Sequence, residues 1–379
     1  MLDNKIISQL TEFRKSLHAN PEISGEEFVT QKEIIHFLKT ETDAETKKVA
    51  TTGVVATFNG KEKGATILIR GDIDALPIAE INDFEHRSKI EGVSHKCGHD
   101  GHTCILLGLA ILLSKQPIAK GKVLLLFQPA EENGMGAKKV LGDVAFKNLT
   151  IDYAFALHNL PGYARHEIVL KENEFTGNVK SVIIKLSGKT AHAAEPEKGI
   201  NPSLAIAELL QYANQITFNE PSEKDFFLAT PIHVNMGELA YGISAGYGEV
   251  HLTIRSWSTA LMEERSTTLV NYIKQIGTSH QLNPEITWTQ EFVANINHVN
   301  AVENIRSAAN QNGYNITERM YPFKWGEDFG LFTQQFKGAM FGLGAGKETP
   351  ALHNPDYDFP DEILPTGINM FYQIIKNLN

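Results

Sequence analysis

Cysteine is scarce in this chain, with only Cys97 and Cys104 among 379 residues. Two cysteines cannot supply a disulfide framework, which excludes the class of small, disulfide-stapled secreted domains. Cys97 lies among histidines and an aspartate, where metal ligation is the favoured interpretation. Cys104 falls in the apolar run 103–113 and is predicted to be a small core residue. Because both thiols fit a reducing compartment, we expect a cytoplasmic protein.

Long hydrophobic runs are also missing. The first residues, MLDNKIISQLTEFRKSLH, are charged and amphipathic, so no secretory signal is predicted. No apolar run approaches the ~20 residues that a membrane-spanning helix needs. We therefore expect no membrane partner.

An excess of basic residues is the third absence. The chain has 35 basic and 45 acidic residues and a formal net charge of −10, which argues against binding to a nucleic-acid backbone. Hydrophobic residues make up 42% and charged residues 21%, as in ordinary globular proteins. A chain of 379 residues exceeds one ordinary core and predicts two domains.

Apolar segments typical of strands alternate with helical periodicity in the first half of the chain. The strands are predicted at Val54–Phe58, Ala65–Arg70, Lys122–Phe127 and Tyr153–Leu157, with a helix at Thr103–Ser114 among them. Such alternation predicts an α/β fold with a mainly parallel sheet and helices on both faces.

The pattern changes near residue 178. Four alternating strands and two helices follow, in an order that indicates an inserted ferredoxin-like α+β domain. We therefore predict a discontinuous catalytic domain, residues 1–178 and 293–379. A lid or dimerisation domain is predicted at residues 179–292.

Residues that bind metals follow the predicted strands. Asp72 and Asp74 come after Ala65–Arg70, Glu131 and Glu132 come after Lys122–Phe127, and His158 ends the strand at Tyr153–Leu157. A further strand at Ala339–Leu343 leads to His353, and His95–His102 precedes an apolar helix. In open α/β sheets, ligands collect outside the carboxyl ends of the strands, so these side chains can meet at one point.

The residue types favour a hydrolytic metal centre. The candidate ligands are Cys97, His99, Glu132, His158 and His353. Thiolate, imidazole and carboxylate together suit zinc and tolerate manganese, cobalt or nickel, and five ligands with a thiolate bridge allow two ions. Glu131 is the candidate general base, and Asp74 could orient a ligating imidazole. Each motif alone is weak evidence for a catalytic site. A Glu-Glu pair, for example, is more often the solvated start of a helix.

The segments His95–His102, Glu131-Glu132-Asn133 and Leu352–Pro355 resemble the M20 metallopeptidases. The similarity is to the amidohydrolase branch, which includes hippurate hydrolases, indole-acetyl-amino-acid hydrolases and N-acetyl-diaminopimelate deacetylases. Further matching motifs occur in the same order along nearly the whole chain, at Arg14–Glu22, Arg70–Ile78, Gly188–Pro196 and Glu327–Phe329.

The resemblance implies a role for each residue. Cys97 would bridge two divalent metal ions, either Zn, Mn, Co or Ni, and His99, Glu132, His158 and His353 would complete their coordination. Glu131 would activate the shared water and later protonate the leaving amine, and Asp74 would support a ligand. The inserted domain would form a lid and a homodimer surface, from which His192 would help to stabilise the oxyanion, in the site of the partner subunit.

The implied reaction is metal-dependent hydrolysis of the amide bond of an N-acyl amino acid, a small-molecule substrate. Two alternatives stay open at this point. One is a dipeptidase or aminopeptidase of the same family, although no motif indicates the acidic group that would recognise a free amine. The other is a relative that binds ligand without turning it over.

Two positions depart from the family pattern. Gly242 stands where members of the branch usually carry an asparagine close to the substrate, so the substrate class is open there. Lys96 occupies a position where a small residue is common. Its charge would either lower the pKa of the Cys97 thiol or project into solvent, and both interpretations are kept.

Overall fold

The computed structural model describes residues 2–379. Within them the chain forms sixteen strands and ten α-helices, with short 3-10 helices at Pro196–Lys198 and Asp361–Ile363. The strands are β1 (Glu45–Val49), β2 (Gly53–Asn59), β3 (Glu62–Asp72), β4 (Lys120–Gln128), β5 (Tyr153–Pro161), β6 (Ile168–Leu170), β7 (Asn173–Thr176), β8 (Asn178–Ser187), β9 (Ala191–His192), β10 (Phe227–Met236), β11 (Ile243–Ser244), β12 (Tyr247–Ser256), β13 (Asn283–Phe292), β14 (Asn295–Asn297), β15 (Ile316–Glu318) and β16 (Lys337–Gly346). The helices are α1 (Asn4–Ala19), α2 (Phe28–Glu41), α3 (His99–Lys115), α4 (Gly136–Gly142), α5 (Val144–Lys147), α6 (Ser203–Ile216), α7 (Thr259–Ser279), α8 (Val299–Asn312), α9 (Gly330–Thr333) and α10 (Leu364–Leu378).

The chain divides into two compact units. The first comprises residues 2–175, Asn295–Met320 and Glu327–Asn379, and the second comprises Thr176–Ala294 and Tyr321–Gly326. The short segment Tyr321–Gly326 lies outside the range 179–292 that the sequence indicates for the inserted domain.

The first unit is built on an eight-stranded sheet in the order β1-β2-β4-β3-β5-β16-β6-β15. Its centre, β4-β3-β5-β16, is parallel throughout, and antiparallel pairing occurs where β1, β2 and β6 join. The prediction of an α/β fold with a mainly parallel sheet is confirmed.

Both faces of this sheet are buried, and successive side chains of each strand point to opposite faces. Ile67 and Ile69 of β3 join the core that also contains apolar residues of α1, α2, α3, α8 and α10. Leu68 lies between them on the other face and is equally buried. On that side α4 packs on β4, and α9 packs on α4. Helices therefore cover both faces, as the continuous apolar strands indicate.

The second unit has a four-stranded antiparallel sheet in the order β10-β12-β8-β13, with α6 and α7 packed against it. The chain order β8-α6-β10-β12-α7-β13 and this strand order are those of a ferredoxin-like fold. Val182, Ile184 and Leu186 of β8 alternate with more exposed residues and form the core with the two helices. No helix within residues 2–379 combines the length and apolar character that a membrane crossing requires.

Candidate metal centre

A glycine turn positions Cys97 and His99. Gly98 has φ +90°, a left-handed conformation that favours glycine, and a Cβ there would lie 2.7 Å from Asn159 Oδ1. Helix α3 begins directly afterwards with His99, and its residues from His99 to Leu113 are all buried. The tight turn and the buried helix start together hold the Cys97 sulfur and the His99 ring beside the ends of the strands.

A second strained turn positions Glu131 and Glu132 after β4. Ala130 has φ +54°, which costs a non-glycine residue about 1–2 kcal/mol. Its amide donates to Glu27 Oε1 at 2.8 Å, and its carbonyl accepts from the amide of Gly136 at 2.8 Å. A Cβ on Gly136 would lie 1.8 Å from the carbonyl oxygen of Pro129. These contacts hold the strained conformation and aim the two glutamates that follow.

The five candidate ligands converge as two triads that share one sulfur. Ligand atoms of Cys97, His99 and His158 lie within 4.8 Å of one another, and so do those of Cys97, Glu132 and His353. Cys97 Sγ is 3.4 Å from His158 Nε2. The two oxygens of Glu132 diverge, with Oε1 at 3.7 Å from His99 Nε2 and Oε2 at 3.7 Å from His353 Nε2.

These spacings fit ligands of common cations. Two atoms bound to one tetrahedral zinc ion at about 2.0–2.3 Å are about 3.5 Å apart, whereas a hydrogen bond would bring them closer. Among buried side-chain atoms of residues 2–379, both His99 Nε2 and Glu132 Oε1 lack a hydrogen-bond partner. Buried polar atoms are rarely left unpaired, so two of them facing each other fit a cation that both would bind.

Asp74 orients the ring of His99 in the triad with Cys97 and His158. Its Oδ1 lies 3.2 Å and its main-chain oxygen 3.0 Å from His99 Nδ1, which leaves Nε2 of that ring directed at the cluster. Its Oδ2 accepts from Ser24 Oγ at 2.6 Å and from the amide of Glu132 at 3.0 Å. Burial alone would raise the pKa of Asp74, but the hydrogen bonds from His99 and Ser24 hold it below its usual value. An ionised Asp74 thus fixes both the imidazole ring of His99 and the main chain of Glu132.

The cluster carries more negative charge than its imidazoles neutralise. Burial lowers the pKa of His99, but the carboxylates of Asp72, Asp74 and Glu132 outweigh burial and raise it to about 10. Burial raises the pKa of the Cys97 thiol, and the neighbouring carboxylate of Glu132 raises it further. A group of anions that attracts protons in this way is suited to bind divalent cations instead.

Glu131 lies beside the triads, in a different carboxylate cluster. It is 6% exposed, and its Oε1 accepts from the amide of Asp328 at 3.4 Å. Burial raises the pKa of Glu131, and the carboxylates of Glu327 and Glu132 raise it further. A carboxylate whose proton affinity is increased in this way is suited to accept and return a proton.

Arg70 connects that cluster to the strand end. Its guanidinium donates to Asp72 Oδ2 at 2.6 Å, and to Glu327 Oε1 and Asp328 Oδ1 at 2.9 Å each. It is fully buried, so it neutralises carboxylates that could not otherwise be ionised there. No role was predicted for this residue from the sequence. Its position in the strand-end motif Arg70–Ile78 was the available signal, but its partners Glu327 and Asp328 are distant in sequence.

His102 was also missed. Its Nδ1 lies 2.5 Å from Asp72 Oδ1, and its Nε2 accepts from the amide of Asn159 at 3.3 Å. The ring is therefore held between a carboxylate and a main-chain donor and is not a free ligand, although it shares the helix turn of His99. Its spacing of three residues from His99 was the only signal in the sequence.

Lys96 follows neither of the two interpretations drawn from the sequence. The residue is fully buried, so it does not project into solvent. Its Nζ donates to Glu80 and to the carbonyl of Tyr357, and the pKa of the Cys97 thiol is raised rather than lowered. The ammonium group is paired with a carboxylate and a carbonyl, and burial and the carboxylate of Glu132 raise the pKa of the thiol.

His192 and Gly242 are neighbours in the second unit. His192 lies in the short strand β9, opposite Ile243 of β11, and its exposed ring accepts from the amide of Ala194 at 3.0 Å. The carbonyl of Gly242 accepts from the amide of Ala193 at 2.9 Å. Gly242 therefore lies beside His192, at the position where the family resemblance led us to expect an asparagine.

The model of peptidase family M20/M25/M40 matches residues 68–377 of the chain. An N-acetyl-L-cysteine deacetylase of Bacillus subtilis is 30% identical, over 98% of this chain and 88% of that protein. A hippurate hydrolase of Campylobacter jejuni is 27% identical, over 97% of this chain and 95% of that protein.

A solved structure agrees with this similarity. The dinuclear metal-binding M20 peptidase from Bacillus subtilis superimposes with a TM-score of 0.82, at 27% sequence identity and with 99% of each chain covered. The match extends over both units of the chain, so the inserted ferredoxin-like domain is part of the shared fold.

Proposed function

We propose that the chain, which belongs to peptidase family M20/M25/M40, hydrolyses the amide bond of N-acyl amino acids with two divalent metal ions. The observation that carries the proposal is the pair of ligand triads that share Cys97 Sγ, with the buried carboxylate of Glu131 beside them. The deacetylase and the hippurate hydrolase to which the chain is similar both have names that describe removal of an acyl group from an amine.

The residues that would hold the ions are Cys97, His99, Glu132, His158 and His353. When bound, such ions polarise the acyl carbonyl and lower the pKa of water. Sulfur, nitrogen and oxygen ligands in this combination suit zinc, manganese, cobalt or nickel, so the choice among these is part of what the experiment decides. Asp74 keeps the ring of His99 aimed at the cluster through its hydrogen bond to Nδ1.

Glu131 would move the proton. Burial and neighbouring carboxylates raise its pKa, so it can take a proton from the attacking water and hold it. The same carboxyl group would then release this proton to the nitrogen of the departing amine. Arg70 limits the negative charge of the cluster through Glu327 and Asp328, which keeps Glu131 able to ionise.

The second unit would form a homodimer. Strand β10 is an edge of its sheet, and from Thr230 to Met236 it is exposed, including Ile232 at 61% and Val234 at 43%. The apolar side chain of Leu204 on α6 is 67% exposed, and α6 packs on β10. An unpaired strand edge beside exposed apolar side chains favours association with a second copy. We propose that His192 acts from this unit in the site of the partner subunit, where its ring would donate to the developing oxyanion.

A cytoplasmic location completes the proposal. It is supported by Cys97 and Cys104, two buried thiols that form no disulfide. A thiolate ligand at Cys97 would be vulnerable in an oxidising compartment.

The test is release of free amine from N-acetyl, N-benzoyl and longer N-acyl amino acids. Metal-stripped protein is assayed first, and again after addition of zinc, manganese, cobalt or nickel. We expect turnover only after metal is restored, with one acyl class preferred. Free dipeptides run in parallel, because turnover of these alone would favour the peptidase alternative. Protein that binds metal but turns over no acylated amine would contradict the proposal and favour a ligand-binding role.

A further inference from the structure

Lys96 is a buried lysine directly before Cys97, and it has partners on both its side chain and its main chain. The side chain is fully buried, and an ammonium group is costly to bury unless it is paired. Its Nζ donates to Glu80 Oε1 and, at 2.7 Å, to the carbonyl oxygen of Tyr357. Its own carbonyl accepts from the amide of His353 at 2.7 Å. One residue thus contacts the loop 353–357 at both ends.

The segment around Glu80 contacts the middle of the same loop. The amide of Ile81 donates to the carbonyl of Pro355 at 3.2 Å, and Asn82 Nδ2 donates to the carbonyl of Asp356 at 3.2 Å. Because Lys96 pairs with Glu80, the ion pair joins the two segments that contact the loop, the one that contains Lys96 and the one that contains Glu80. Glu80 is itself held by His18, whose Nε2 lies 3.1 Å from Oε1.

His353 depends on these contacts for its position. Its φ is +67°, in the left-handed region that is unfavourable for a non-glycine residue. Its side chain is 53% exposed, and its nearest charged neighbour, Glu132 Oε2, is 3.7 Å away. A half-exposed ring on a strained backbone is not fixed by packing, so the loop contacts must fix it.

We propose that Lys96 is a positioning residue: with Glu80 it clamps residues 353–357, so that His353 completes the triad with Cys97 and Glu132. The inference rests on the proposed two-metal function. The loop that the clamp holds carries only His353 among the ligands, because the ring of His158 is carried by β5 and that of His99 by α3, outside the loop.

The test is the affinity of the two ions, measured without substrate. Metal-free wild-type protein and Lys96→Met are titrated with cobalt. The heat of binding and the thiolate-to-cobalt absorption are recorded during the titration. In the wild type we expect two binding steps. In Lys96→Met we expect one step to be unchanged and the other to be weakened about tenfold or more, as for loss of a group that orients a ligand.

Two further variants sharpen the comparison. Asn82→Ala removes hydrogen bonds to the same loop and to Glu80 while keeping the Lys96–Glu80 ion pair, and should weaken the same step by a smaller factor. Lys138→Met changes an exposed lysine on α4 and should leave both steps unchanged. If Lys96→Met does not fold, Asn82→Ala carries the test.

The possible failures are distinguishable. Wild-type protein that binds fewer than two ions would overturn the two-metal function itself. Wild-type protein with two steps, and variants in which both steps or neither step weakens, would overturn the clamp. A lower melting temperature of the metal-free variant with both affinities intact would also overturn it, since Lys96 would then serve stability only.

Discussion

At the scale of single residues, the chemistry depends on where charge is allowed to accumulate. Glu131, Glu327 and Asp328 form a buried carboxylate cluster whose charge is limited by one guanidinium, that of Arg70. Burial and excess negative charge raise the pKa of Glu131, which favours uptake of a proton by this carboxylate. Local electrostatics thereby distinguish the proposed base, Glu131, from a structural carboxylate.

Replacing Glu131 by Gln should remove nearly all turnover while keeping fold and metal. The amide has the size of the carboxyl group but cannot accept the proton, so we expect kcat to fall by about 10²–10⁴-fold. Steady-state kinetics with metal content measured on the same samples provides the check, and Glu33→Gln, an exposed change on α2, is the control. Retained turnover would contradict the role of Glu131 as base.

Gly242 offers a gain-of-function test. A Cβ there would meet no atom within 4 Å, so a side chain can be added without steric cost. Glycine offers an N-acyl amino acid substrate no side-chain hydrogen-bond donor at this position. If the substrate would accept such a bond, Gly242→Asn should raise kcat/KM about tenfold, the value of one good hydrogen bond. Gly242→Ala controls for the backbone and should have no effect. An unchanged or lower kcat/KM in Gly242→Asn would mean that another group already fills this role.

At the scale of elements, α1 contributes charges rather than ligands to the first unit. Arg14 and His18 lie on one face of this helix and are buried against Asp100 at the start of α3. Arg14 also binds Asp358 and Asp361 of the C-terminal segment. The helix is thus tied by ion pairs to the two segments that carry His99 and His353.

His18 should make the stability of the metal-free protein depend on pH. Burial lowers its pKa, but the hydrogen bonds that its ring donates to Asp100 and Glu80 outweigh burial and raise it to about 9. Other charged or titratable groups that face it are Asp358, Arg14, His86 and His95. Because the folded pKa exceeds the usual 6.5, the stabilisation is complete below about pH 6.5 and is lost as pH rises through 9.

The size of the effect should be about 3 kcal/mol between these limits, from about 1.4 kcal/mol for each pKa unit. Urea unfolding of metal-free protein from pH 6 to 10 measures it. His18→Gln should be less stable at pH 6 and flatter across the window, whereas His36→Gln, an exposed change on α2, should follow the wild type. Parallel pH curves for His18→Gln and the wild type would refute the assignment.

At the scale of the whole molecule, the proposed dimer decides whether one chain can be active alone. The apolar edge of β10 gives the second unit a surface that an isolated chain leaves exposed. A two-fold dimer would use the same surface on both copies. If His192 serves the partner's site, then each site contains residues of both chains.

Mixing two inactive variants tests this arrangement. Glu131→Gln and His192→Ala should each be inactive, but a heterodimer has one site with both native residues. Random exchange of equal amounts should therefore restore about one quarter of the wild-type activity. Ile232→Asp added to both variants should prevent dimerisation and recovery, as light scattering would show. No recovery from stable mixed dimers would place His192 in the site of its own chain, or in none.

Periodicity and residue order determined much of this protein without any tertiary information. The continuous apolar run Ala65–Arg70, predicted as a strand, lies within β3. In β8, residues 179–186 alternate between apolar and polar over most of their length, because only one face of that strand is buried. The candidate ligand residues could be selected because the carboxyl ends of parallel strands share one edge of a sheet.

Only the tertiary structure decided how distant residues are paired. Arg70 meets Glu327 across 257 residues, and no local pattern encodes that contact. From the sequence, Lys96 was expected either to lower the pKa of its neighbour Cys97 or to face solvent, because lysine is rarely buried. In the structure it is buried, because the carboxylate of Glu80 and the carbonyl of Tyr357 pair with its ammonium group. The strained turns at Ala130 and His353 follow the same principle, since backbone strain persists only where surrounding chain segments hold it.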